Sequence, residues 1–436
     1  MNSIWAETAA TTEFPPLCGD TKTDVLIIGG GIAGILCAYY LQQAGVDYLL
    51  TEGQRVGSGI TKNTTAKITS QHGLLYQKLR KSAGIERAKM YLDANQLALA
   101  KFRDLCSGMD CKFEEKDAFV YSLRDKKAIE DEVAALQALD FPAEYQEAIP
   151  LPFHIAGAVK FPKQAQFHPM KFLAQISQGL NIREHTFVQE LAPRMAITNR
   201  GKITADHIIV TTHFPIFNKH GAYWLKMYQH RSYAIALEGG PQVDGMYLEE
   251  TDDGMSFRNY GDLLIVGGGD HKTGKQGGGW PLLRDFASNV YPRTQERFAW
   301  ATQDCMTLDG LPYIGRYGKS AEGLYVATGF NKWGMTSAMV SAMILTDMIL
   351  GKQNDFTEVF CPQRSILKPQ LLVNGLSAAG NLLTPSRKRC PHMGCALKWN
   401  AAQRSWDCPC HGSRFGEDGT LIDNPATGNC PCLRRS

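Results

Sequence analysis

Between Asp24 and Glu52 the chain is punctuated so that very few local folds can accept it. Asp24-Val25-Leu26-Ile27-Ile28 is a short apolar run of buried-strand type. It enters Gly29-Gly30-Gly31-Ile32-Ala33-Gly34, then a helical pattern through Leu36, Tyr39, Tyr40 and Leu41, closed by Gly45. Tyr48-Leu49-Leu50 reads as the next strand, ending at Glu52. Strand, glycine turn, helix, strand and acid in this order describe a βαβ nucleotide-binding unit. Gly29 allows the tight turn, Gly31 lets backbone approach a pyrophosphate, and Gly34 lets helix pack on strand. Ile32 and Ala33 open the helix whose unpaired N–H groups favour an anion, and Glu52 can accept ribose hydroxyls.

A second constraint lies near the C-terminus. Cys390-Pro391-His392-Met393-Gly394-Cys395 and Cys408-Pro409-Cys410-His411-Gly412-Ser413 each pair one sulfur with one imidazole. A zinc site usually draws a cysteine pair from one turn and a histidine pair from another, and this spacing does not fit that pattern. One thiolate and one imidazole per loop suit a [2Fe–2S] cluster with thiolates on one iron and histidines on the other. The boxes resemble those of Rieske proteins, with Cys390 and Cys408 on one iron and His392 and His411 on the other. That resemblance also implies a disulfide between Cys395 and Cys410, as in Rieske proteins of the higher-potential type. Residues 362–385 read as a linker with a short helix, where a full Rieske domain has strands. The module 386–436 is therefore expected to be a truncated, small all-β unit that needs a larger domain to shield its cluster. Cys430-Pro431-Cys432 reads as a frayed tail, since no histidine accompanies it.

The remainder reads as an ordinary globular chain. Its 436 residues can hold more than one domain, and a net charge of +3 without a basic run gives no nucleic-acid footprint. The N-terminus lacks an apolar export segment, and the apolar stretch 334–350, interrupted by Asp347, is short for a membrane span. Twelve cysteines without an export signal point to thiols and metal ligands, hence a cytoplasmic protein with no integral membrane span.

Three blocks resemble the FAD-dependent oxidoreductases of the D-amino-acid-oxidase superfamily: Gly29 to Glu52; Asp309-Gly310-Leu311-Pro312-Tyr313-Ile314-Gly315; and Gly323 to Thr336. With the C-terminal boxes, the whole is similar to bacterial flavin–Rieske fusion proteins. The resemblance implies an α/β Rossmann-like FAD-binding domain with an interwoven antiparallel-sheet substrate domain over residues 1–361. It implies flavin contacts at Thr61, Thr64, Thr65 and Val188, and along Gly329, Lys332, Gly334, Met335 and Thr336. The polar loop from Gly57 to Lys67 suits a pyrophosphate and a flavin ring, and equally a solvated turn. The helix beginning near Gly334 would direct its positive end at the flavin. Met335, Met339 and Met343 recur at helical spacing and read as core.

The substrate is written less clearly. Helical patterns fill residues 70–150, such as Ile85 to Leu105 with Ala88, Leu92, Leu99 and Phe102 on one face. Alternating runs around Arg231 to Leu237, Met255 to Tyr260 and Leu263 to Val266 are expected to form the substrate sheet, with Gly267-Gly268-Gly269 as a turn. Oxidases of this superfamily often place a carboxylate-clamping arginine five residues before the Asp-Gly-Leu-Pro block, and here that residue is Asp304. An aspartate there favours an amine or ammonium group over a carboxylate. Asp304, Arg258 and Tyr233 are pocket candidates, with His271 and His213 behind them. The expected activity is oxidation of an amine or amino-acid-like C–N bond, more as a dehydrogenase than an oxidase. Electrons would pass from FAD to the protein's own [2Fe–2S] cluster and then to an external acceptor or redox partner. Reverse flow from a reductase, or a noncatalytic redox sensor, are the competing readings.

Overall fold

The computed structural model describes residues 2–10, 12–217, 221–251 and 253–433. Its first layer is a parallel sheet centred on Thr21–Ile28, which pairs in parallel with Gly201–Val210 on one side and Tyr48–Thr51 on the other. Leu324–Thr328 and Ile182–Arg183 extend it in parallel, and Tyr313–Arg316 adds an antiparallel edge. Both faces are covered, so the central strand carries Val25, Leu26 and Ile27 with no exposed surface. Helix Ile32–Gln43 is apolar on most sides because it packs between this sheet and helix Gly334–Ile349. That second helix buries Met335 and Met339, and Met343 packs against the same core.

A nine-stranded sheet forms the second layer, and all its pairings are antiparallel except Met246–Glu249 with Glu114–Ser122. Its two longest strands, Met227–Glu238 and Gln295–Thr307, lie together at one edge. Gly267-Gly268-Gly269, expected as a turn, instead lies inside strand Leu263–Lys272. The reason is a bulge: pairing slips between Arg231 and Tyr233, and Gly268 (φ 150°) and Gly269 (φ 67°) take backbone angles only glycine adopts freely. Helix Ile85–Cys106 is where the periodicity placed it, with Ala88, Leu92, Leu99 and Phe102 all buried.

The C-terminal unit is a small antiparallel sheet of four strands: Lys398–Asn400, Ser405–Asp407, Arg414–Phe415 and Leu421–Asp423. It has its own core, built on Phe415, Leu397 and buried cysteines. The stretch expected as a linker with a short helix holds a helix of 15 residues, Pro369–Leu383, whose Ala378 packs on that core. The tail is not frayed through Leu433. Cys430 is fully buried, Leu433 joins the same core, and Cys430 Sγ lies 2.9 Å from Cys432 Sγ. Apolar burial holds what composition alone marked as loose.

This unit is docked on the larger one. Gln229 Nε2 donates to the His411 carbonyl at 2.8 Å, and Gln303 Nε2 to the Gly412 carbonyl at 2.9 Å. Asn424 Nδ2 donates to the Phe214 carbonyl at 3.1 Å. At Gly274 even a Cβ would sit 2.7 Å from Pro409. No described helix is long and apolar enough to cross a membrane.

Candidate functional site

One cavity of about 1080 Å³ opens at the C-terminal ends of the parallel strands. Its floor is the first glycine turn. Gly29 has φ 113° and a Cβ there would meet the Thr211 carbonyl at 2.8 Å, while at Gly34 it would lie 1.9 Å from the Gly29 carbonyl. Gly31 is the opposite case: a Cβ would reach only Thr61 Oγ1, at 3.5 Å, so the backbone faces open space. Glu52 closes the turn, accepting from Gly30 N at 2.7 Å and Gln54 N at 2.8 Å. Burial raises the Glu52 carboxyl, and those N–H groups partly offset it.

Gly29, Gly31, Ile32, Ala33, Glu52, Thr61, Thr64, Thr65 and Val188 all line the cavity, as do Lys332, Gly334 and Met335. Thr61 Oγ1 accepts from Ile32 N at 3.1 Å and so caps the helix. Three expected cofactor residues lie elsewhere. Thr336 is buried behind the wall, donating to the Thr69 carbonyl at 3.2 Å, because helical spacing turns it inward. Gly329 does not line the cavity either; a Cβ there would strike Thr307 Cγ2, so its role is close packing. Gly34 likewise serves packing rather than the cavity.

Several residues in or behind the wall carried no signal in the sequence. Trp5 is fully buried and donates from Nε1 to the Thr64 carbonyl at 2.7 Å, so the N-terminal helix Ile4–Glu7 pins the Thr61–Thr65 loop. His72 stacks on Trp333 at 4.7 Å and contacts Tyr91 Oη and the Thr69 carbonyl. Burial pushes its imidazole down to about 3, so it is neutral at physiological pH. Burial, with Arg258 nearby, lowers the Lys67 ammonium to about 7. These contacts join segments far apart in sequence, which no local pattern encodes.

The edge pair of long strands contributes both of its faces to the site, and Arg414, Asp423 and Asn424 of the C-terminal unit line the same cavity. Arg231 pairs with Gln303, Gln229 with Cys305, and His230 with Asp304. Paired residues share a face and neighbours alternate, so Gln229, Arg231 and Gln303 look one way, Ser232 and Asp304 the other, yet Arg231, Ser232, Gln303 and Asp304 all reach the cavity. The first set reaches the C-terminal unit, where Arg231 also donates to Gln403 Oε1. On the opposite face, Ser232 Oγ donates to Asp270 Oδ2 at 2.9 Å, and Lys332 Nζ pairs with the same oxygen. Lys332 is therefore anchored, not solvated. Burial raises the Asp304 carboxyl to about 6; Lys332 and Arg231 pull it down, and Asp270 pushes it up.

Of the other pocket candidates, Tyr233 and His213 line the cavity, but Arg258 and His271 do not. Arg258 is buried under the loop, donating to the Ala66 carbonyl at 2.9 Å with its guanidinium over Trp5. Its strand presents it to the N-terminal helix rather than to the cavity. His271 instead meets the Tyr233 hydroxyl at 3.0 Å.

The two cysteine–histidine boxes fold into matching turns. Gly394 N donates to the Cys390 carbonyl and Cys390 N to the Cys395 carbonyl, both at 2.9 Å. Gly412 N to Cys408 and Cys408 N to Ser413 repeat the pattern at 2.9 Å. Gly394 (φ 76°) and Gly412 (φ 83°) supply the left-handed corner of each. The turns face each other. His392 and His411 rings lie 5.0 Å apart, and the Cys390 and Cys408 thiols share a hydrogen bond that lowers the first and raises the second. The tightest group of sulfur donors among the described residues is Cys395, Cys408 and Cys410. Cys395 and Cys410 are bonded to each other there, which leaves Cys390 and Cys408 as the thiolate pair. Burial holds His392 near 4 and His411 near 3, so both are neutral, and His411 Nδ1 is buried without a hydrogen-bond partner. Two thiols and two neutral imidazoles converging from twin turns fit a [2Fe–2S] cluster. The open backbone at Gly31, beside a helix N-terminus, fits a dinucleotide pyrophosphate.

Comparison with known proteins agrees with this geometry. Residues 24–348 match the family model described as FAD dependent oxidoreductase (DAO), and residues 355–434 match the Rieske [2Fe-2S] domain. The chain is 31% identical to the putative Rieske 2Fe-2S iron-sulfur protein YhfW of Bacillus subtilis (strain 168), over 97% of this chain and 96% of that protein. Among solved structures it is similar to glycine oxidase from Geobacillus kaustophilus (TM-score 0.67, 19% identity, 79% of this chain and 99% of that one). L-Proline dehydrogenase from P. horikoshii is equally similar (TM-score 0.67, 17% identity, 80% and 98%). At these identities the two structures speak for the fold alone. The chain belongs to the FAD dependent oxidoreductase (DAO) family and carries a Rieske [2Fe-2S] domain at its C-terminus.

Proposed function

We propose that this oxidoreductase is a dehydrogenase of amine or amino-acid-like C–N bonds, delivering electrons through its own Rieske domain to an external acceptor. The carrying observation is a shared wall: Arg414, Asp423 and Asn424 of the C-terminal unit line the same cavity as the glycine turn, and Gln229 and Gln303 bond the His411 turn to the cavity's edge strands. When bound, FAD supplies a hydride acceptor and the cluster a one-electron carrier. Gly31, Ile32, Ala33, Glu52, Thr61, Thr64 and Thr65 would hold the dinucleotide, and Cys390, His392, Cys408 and His411 the cluster.

The chain's own contribution is placement and charge. Asp270 is paired with Lys332, while Asp304, with Arg231 also on the wall, is the carboxyl placed to meet a cationic amine at that face. Neutral His72, stacked on Trp333, covers one side without adding charge. The amides of Gln229 and Gln303 fix the His411 turn against these two strands, so the domain is held rather than swinging.

The test is anaerobic stopped-flow mixing of the holoenzyme with a panel of amines and amino acids. Bleaching of the flavin absorbance followed by the reduced cluster's EPR signal is expected. Bleaching with a persistently oxidised cluster would refute transfer between the domains.

A further inference from the structure

Helix Pro369–Leu383 is built inside out. Gln370, Asn374, Ser377 and Asn381 recur at i, i+4, i+7 and i+11 and turn toward the protein: Asn374 is buried, and Lys272 Nζ donates to Ser377 Oγ at 3.4 Å. The opposite stripe, Leu372, Leu376, Ala379 and Leu383 at the same spacing, faces outward. Leu372, Leu376 and Leu383 are 69%, 67% and 82% exposed. A helix that only covered a core would be oriented the other way. Eight of the thirteen large apolar side chains found exposed among the described residues fall between Leu367 and Trp399, so the patch is concentrated.

Charge says what covers it. From Val359 to Trp406 the chain has no aspartate or glutamate, and seven lysines and arginines. Arg364 pairs with Asp309 and Arg404 with Glu417. The other five, Lys368, Arg387, Lys388, Arg389 and Lys398, make no ion pair with an acidic side chain among the described residues. Arg389 ties the basic end to the helix, donating to the Leu382 and Thr384 carbonyls at 3.2 and 3.1 Å, and to the first cluster turn through the Gly394 carbonyl at 2.7 Å. An uncharged apolar stripe flanked at both ends by cations matches the acyl boundary and headgroups of an anionic bilayer. A second copy of this chain would set the same cations against each other.

We propose that the face carrying Leu372, Val373, Leu376 and Leu383 docks this protein onto an anionic lipid surface. The helix lies in the interface plane without spanning it, and the cluster turn at Arg389–Cys395 sits beside the membrane. This rests on exposure and charge alone, so it stands or falls independently of the substrate.

The experiment is flotation of the full-length holoenzyme with vesicles of phosphatidylcholine, and of phosphatidylcholine mixed with phosphatidylglycerol. Binding is expected to the mixed vesicles, weakly to the neutral ones, and to fall with salt. Leu376→Glu, and separately the pair Arg387→Glu and Lys388→Glu, should each cut that binding about tenfold while flavin and cluster absorbance stay unchanged. Absence from the mixed vesicles, or equal binding by Leu376→Glu, overturns the proposal. So does a concentration-dependent dimer, seen by light scattering and lost in Leu376→Glu, if vesicles do not bind.

Discussion

Asp304 shows how much one residue carries and how little its sequence position explains. Its offset from the Asp-Gly-Leu-Pro block identified it as a substituted clamp position. Its charge is governed by neighbours from other segments: burial raises the carboxyl to about 6, against the pull of Lys332 and Arg231. It is ionised above that value and loses its charge as pH falls through it. For an amine that reduces the flavin, the KM for flavin reduction should therefore rise below about pH 6, and Asp304→Asn should remove that rise. A pH profile indifferent to the substitution would take Asp304 out of substrate binding. Arg258 teaches the reverse lesson. A buried arginine on a substrate-sheet strand looks like a ligand-binding group, but only the fold shows it under Trp5.

At the scale of elements, the glycine turn is legible because its residues obey local sterics. Gly34 leaves no room for a methyl group, with the Gly29 carbonyl 1.9 Å from where one would go. Gly34→Ala is expected to cost about 3 kcal/mol or more, since backbone cannot yield as a flexible side chain does. Loss of flavin absorbance and a lowered Tm would report it; a variant with full flavin and native Tm would show that the turn can relax. The cluster turns are legible for the same reason, each needing its cysteine, histidine and left-handed glycine within a few residues. Gly267 to Gly269 misled because a glycine run signals a turn and a bulged strand equally well. Pro369–Leu383 was underread because its apolar stripe faces outward, and burial is what ordinarily makes such a pattern readable.

At the scale of the whole molecule, the seam between the two units matters most. Gln303 is fully used there, donating to Gly412 and accepting from Thr273 Oγ1 at 2.9 Å. Gln303→Leu leaves a buried carbonyl unpaired and should weaken docking by about 1–3 kcal/mol. Flavin photoreduction should proceed as in the parent protein while cluster reduction slows; equal rates for both steps would remove Gln303 from the path. Sequence by itself determined the nucleotide turn and the cluster boxes, because each depends on residues close together along the chain, and it gave the identity of both cofactors through the families those residues resemble. Only the tertiary structure decided that the C-terminal unit supplies part of the cavity wall, that His72 and Lys67 join it and that Trp5 pins its loop. It also decided that an apolar helix face is left outside. Those facts arise from contacts between segments tens to hundreds of residues apart, where packing and burial, not local pattern, choose the partner.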